Sequence, residues 1–149
     1  MPYENDANLI QLNYKNEQYP RCNSLSTGNG FYCLFELYSN SSKLEDKIWL
    51  PALDFVPQHD ISEGLGVLIR KKIDNLLICG GECDEYGGDG FISVVDSNTE
   101  SLLWLIVFRD TNPFSEIEFT NQNIEATSTC ETKVILPLFR PDRAIVEWS

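Results

Sequence analysis

Histidine and cysteine are the residues that would carry nucleophilic or metal chemistry in this chain, which has one of the first and five of the second. The one histidine, His59, stands between Pro57 and Asp60. With Asp60 to orient its ring, it could serve as base to a cysteine, as in a thiol hydrolase. None of Cys22, Cys33, Cys79, Cys83 and Cys130 has the glycine-flanked, helix-start setting that lowers a thiol pKa, and Cys79-Gly80-Gly81 comes nearest. A surface histidine in a loop explains His59 with fewer assumptions. Cys79-x3-Cys83 has a loosely zinc-like spacing, but a structural zinc needs four ligands. Cys22, Cys33, Cys130 and His59 offer no second short-range pair, so buried cysteines acting as small hydrophobes are the simpler reading. Cys83 to Gly90 has the look of a calcium loop, yet counting from Asp84 puts Tyr86 third and Val95 twelfth, where oxygen ligands belong. Phosphate-cradling, dinucleotide-binding and Gly-x-Ser-x-Gly motifs are all missing. The expectation is a non-enzymatic protein with no catalytic, cofactor-binding or metal-ligating residues and no cofactor.

The elements that would position these residues read mainly as strands. Leu9–Tyr14 reads as a first strand, and residues 23–30 as a loop. Phe31–Tyr38 and the shorter Lys47–Leu50, ended by Pro51, read as strands. Residues 62–78 fit either a helix capped by Ser62 or a hairpin turning near Asp74-Asn75. Gly64 and Gly66 weigh against the helix, each costing about 1 kcal/mol relative to alanine. Gly80-Gly81 and Gly87-Gly88 bracket an acidic loop. Strands follow at Gly90–Asp96, Leu102–Phe108, Ile117–Phe119, Ile124–Ala126, Val134–Leu136 and Ala144–Trp148. Leu102–Phe108 is apolar on both faces, as a central strand covered on both sides would be. These signals imply one domain over residues 1–149, mainly β, an antiparallel sandwich or open barrel with or without one helix.

Charge is the unusual quantity. Among 149 residues, 23 acids face 11 bases, a net charge of −12. Such a balance disfavours nucleic acid and anionic membranes as direct partners. The longest apolar run spans seven residues, Leu102 to Phe108, against the roughly 20 needed to cross a bilayer. Residues 1–6 show neither the basic nor the apolar region of a secretory signal, and the odd cysteine count suits reduced thiols, so cytoplasmic residence is expected. No lysine or arginine lies between Lys72 and Arg109, or between Arg109 and Lys133. Some contiguous surface must therefore be negative. Solubility alone would account for it; so would a cationic partner that relieves the repulsion.

Gly90–Asp96, Leu103-Trp104 and Asn112-Pro113-Phe114, set in a short acidic β-rich chain, resemble bacterial immunity proteins of contact-dependent inhibition and other polymorphic toxin systems. The likeness covers residues 64–148. It implies a cytoplasmic inhibitor that binds a cognate basic toxin domain, a nuclease being the natural fit. Asp84, Glu85, Tyr86 and Asp89 are the expected contact residues, with Asp96 and Glu100 as outer steering charges. The alternative is a β-sandwich ligand- or carbohydrate-binding module using Trp49, Trp104 or Trp148 as a stacking platform.

Overall fold

The computed structural model describes residues 2–55, 60–84 and 88–149. Its centre is a seven-stranded antiparallel sheet. The strands are β2 (Ser24–Thr27), β3 (Phe31–Glu36), β4 (Glu45–Pro51), β6 (Leu65–Ile73), β7 (Leu76–Cys83), β8 (Gly90–Asp96) and β9 (Leu102–Phe108). Across the sheet they run β4-β3-β2-β9-β8-β7-β6. A second antiparallel sheet is a four-stranded meander of β10 (Phe114–Thr120), β11 (Asn123–Ser128), β12 (Lys133–Pro137) and β13 (Ile145–Glu147). β1 (Gln18–Pro20) and β5 (Ile61–Glu63) form a small two-stranded sheet. The chain is mainly β, sandwich-like, and not closed into a barrel.

Period-two alternation explains why the large sheet is buried on both faces. Trp104, Ile106 and Phe108 of β9 join Ile92, Val94, Leu25 and Cys33 in the core against the four-stranded sheet. Leu105 and Val107 point the other way, joining Phe91, Tyr32 and Cys79 under Ile10 of α1 (Glu4–Lys15) and Tyr19 of β1. The doubly covered centre expected for Leu102–Phe108 is present.

Three local expectations need correction. Residues 9–14 are helical, within α1, not a strand. Glu4 and Asp6 in the first turn and Lys15 in the last complement the helix dipole. Gln11 fastens the helix to the sheet: its Nε2 donates to Leu102 O at 2.9 Å and its Oε1 accepts from Leu102 N at 2.8 Å. Residues 24–27, expected in a loop, are β2, paired to β3 on one side and β9 on the other. Gly80 and Gly81 do not open a loop; they lie inside β7, paired to β6 and β8. The hairpin reading of residues 62–78 holds, with Asp74 at φ +52° in the turn between β6 and β7.

Candidate functional site

The residue types best suited to covalent chemistry are mostly withdrawn into the core. His59 lies outside the described residues. Cys33, Cys79 and Cys83 are buried. Burial pushes the Cys33 thiol up to about 11 and that of Cys83 up to about 12, and also raises Cys79. Half-buried Cys22 is pushed up to about 11 by the same desolvation. Cys130, exposed in the β11–β12 turn, goes the other way, to about 7. The hydroxyls of Ser128 and Thr132, 3.3 and 3.5 Å from its sulfur, stabilise the thiolate. Alkylation by iodoacetamide is therefore expected at Cys130 first, its rate rising with pH and half-maximal near pH 7. Mass mapping that finds Cys22 or Cys79 labelled equally fast at pH 7 would contradict this.

Among the described residues, the expected contact residues do not form one patch. Asp84 is exposed where β7 ends, and with Glu82 it leans over Gly66 of β6. Glu85 and Tyr86 lie outside the described residues. Asp89 must be removed from the contact set, because it is buried at 4% exposure. Its carboxylate accepts from the Asp110 N–H at 3.0 Å and pairs with Arg109 Nε at 3.4 Å, and desolvation raises its pKa. It pins the β8–β9 sheet end and presents little to a partner. Asp96 is half-buried; its Oδ1 accepts from the N–H groups of Asn98 and Thr99 at 2.8 and 3.2 Å, organising the β8–β9 turn. Glu100, exposed at φ +63°, completes that turn. Antiparallel hairpins send alternate turns to opposite sheet ends, so Asp84 stands apart from Asp96 and Glu100 by the length of β8, about 20 Å.

A different acidic surface emerges on the outer face of the four-stranded sheet. In β10, Ile117 is buried while Glu116 and Glu118 are exposed. Register places Glu118 directly opposite Glu125 of β11. Lys133 of β12 approaches Glu125 at 3.7 Å, with side chains 42% and 32% exposed. Glu116, Glu118 and Glu125 line a cleft of ≈ 440 Å³, with Ile69 from the edge of the large sheet as an apolar wall. The sequence carries a signal for this surface: Glu116-x-Glu118 brackets Ile117 in strand alternation. Finding the third acid takes the β10–β11 register.

The three tryptophans differ in kind. Trp104 is core, its Nε1 donating to Leu138 O at 2.7 Å. Trp148 is half-buried and donates to Ser41 O at 3.1 Å. Trp49 is 48% exposed on β4, beside a cleft of ≈ 920 Å³. No protein-family model matches the chain, and no curated protein matches it either.

Proposed function

We propose that this chain is a cytoplasmic immunity protein, a non-enzymatic inhibitor that covers the basic active-site surface of a cognate toxin domain, a nuclease by preference. The supporting observation is the Glu118–Glu125 pair, the first exposed and the second half-buried. Like charges directly opposite on neighbouring strands are destabilising, by a few tenths of a kcal/mol up to about 1. One lysine, Lys133, offsets part of this by its approach to Glu125. A domain that cuts nucleic acid presents lysines and arginines to phosphates. Those same cations can settle on Glu116, Glu118 and Glu125, relieving the repulsion as the complex forms. The remaining acids, Asp84 at one end of the large sheet and Asp96 and Glu100 at the other, supply long-range attraction. Steered association of this kind reaches about 10⁸–10⁹ M⁻¹s⁻¹ at low salt.

The test separates a working surface from a merely solvated one. Glu118→Gln is expected to stabilise the isolated protein by a few tenths of a kcal/mol, and to weaken capture of the toxin domain encoded beside its gene. Glu116→Lys/Glu118→Lys/Glu125→Lys is expected to slow association at low salt by roughly 10-fold or more. The same substitutions should fail to protect cells expressing that toxin. Stabilisation with unchanged association and full protection would reduce the glutamates to a solubility device. A gene neighbourhood with no basic toxin domain would also count against the reading.

A further inference from the structure

The two edges of the seven-stranded sheet are finished differently. β6 carries a register irregularity between Val67 and Ile69, followed by Arg70, Lys71 and Lys72. Bulges and cations are the devices by which an edge strand discourages further pairing. β4, the opposite edge, confines both its register irregularity, between Glu45 and Ile48, and its charges, Glu45, Asp46 and Lys47, to one end, and from Ile48 on runs regular and apolar to Pro51. Ile48 is 61% exposed and Trp49 48% exposed, on the two faces of the strand. Among the described residues no strand pairs with the outer side of β4. Half of its backbone N–H and C=O groups point that way.

What lies beside this edge is as telling as the edge itself. Trp49 is the register partner of Cys33, so it shares the face turned towards the four-stranded sheet. The ≈ 920 Å³ cleft runs from Trp49 past Leu25, Trp104 and Leu138 to Phe139, which is 70% exposed. Its charged wall is Arg140, which donates to both carboxylate oxygens of Asp142 at 3.0 and 2.9 Å. Lys47 reaches the same place, Nζ donating to Asp142 O at 3.1 Å. Two cations and one carboxylate thus border an apolar cleft, in a chain whose net charge is −12. A second copy of so acidic a chain is repelled. A basic segment is served better by the glutamate face.

We propose that β4 accepts an extended segment of a partner protein as an eighth strand. In strand addition the main-chain bonds supply affinity, and pockets for alternate side chains supply specificity. Here the pocket is the cleft beside Trp49, which takes an apolar or aromatic side chain. Lys47 and Arg140 select an acidic residue near it. This surface is separate from the glutamate face, and charge reversal there leaves it intact.

Panning random dodecapeptides displayed on phage against the full-length protein, with the Trp49→Ala protein as counter-selection, tests the proposal. Enriched sequences are expected to alternate, with an apolar residue two positions from an acid. As synthetic peptides they are expected to shift Trp49 emission. Methylation of alternate backbone nitrogens, in one of its two phases, is expected to abolish binding, and Trp49→Ala and Lys47→Glu to weaken it at least roughly 10-fold and several-fold. Circular dichroism confirms that both variants fold. No enrichment over Trp49→Ala, selection of basic peptides, or indifference to N-methylation in both phases would overturn the proposal. So would quenching of Trp49 by cellohexaose with no peptide enriched, which would make the cleft a glycan site, or a Trp49-dependent dimer in solution.

Discussion

Gly81→Ala is expected to cost about 3 kcal/mol or more, a large fraction of the roughly 5–15 kcal/mol that keeps a domain folded. Gly88→Ala is expected to change stability by no more than about 0.5 kcal/mol. A Cβ added at Gly81 would sit 1.9 Å from the carbonyl oxygen of Gly66 and 3.0 Å from Leu68 N, both backbone atoms of the neighbouring strand. Neither can swing aside as a side chain would, so β6 must move away from β7 or the register must slip. The close approach occurs where the β6–β7 register shifts, between Val67 and Ile69. At Gly88 nothing lies within 4 Å of the added atom. Urea denaturation followed by circular dichroism checks both, and equal midpoints for the two variants would show that β6 yields freely.

Phe108→Ala is expected to cost about 3–5 kcal/mol, the largest loss from any single side chain considered. Phe108 is fully buried and lies between two other rings. Its centroid is 5.8 Å from Phe35 of β3 and 5.8 Å from Phe114 of β10, with interplanar angles of 62° and 68°. Edge-to-face pairs add about 0.5–1.5 kcal/mol each beyond the area they bury. The chain of three rings bolts the large sheet to the small one. Phe108→Leu is expected to recover most of the loss, because it refills most of the space. Phe139→Ala, at a ring 70% exposed, is expected to stay within about 0.5 kcal/mol. A Phe108→Ala protein as stable as wild type would mean that the sheets are held together elsewhere.

Much of this architecture is legible in the residues, for identifiable reasons. From Gly90 onward, apolar stretches are short and are separated by clusters such as Ser97–Glu100 and Asn112-Pro113, so β8 to β13 can be read directly. α1 cannot: its mixture of polar residues is dictated by a helix resting on a sheet along a narrow face, with Ile10 as its buried apolar residue. β2 is equally hidden, because Ser24 and Ser26 are buried between β3 and β9 although their composition suggests a turn. Gly80 and Gly81 look like punctuation, but at Gly81 the missing side chain serves close strand approach. For the candidate site, register is the missing information. Pairing of Gly90 with Phe108 sets Asp89 beside Arg109 and turns an expected contact residue into an internal ion pair. Pairing of Glu118 with Glu125 creates an acidic face from acids that look isolated along the chain.

The position of β2 has a consequence for biogenesis. Its long-range neighbour, β9, is made roughly 75 residues later, about 4–15 s at the usual pace of synthesis. Until β9 emerges, α1, β2, β3 and β4 have half a sheet and no centre to close on. The β6–β9 meander, built from neighbours in sequence, is ready to form first and to act as the template on which the amino-terminal third docks. A nascent chain stalled before residue 102 is thus expected to remain open to proteases over its first fifty residues, and to become resistant there only after β9 has left the ribosome.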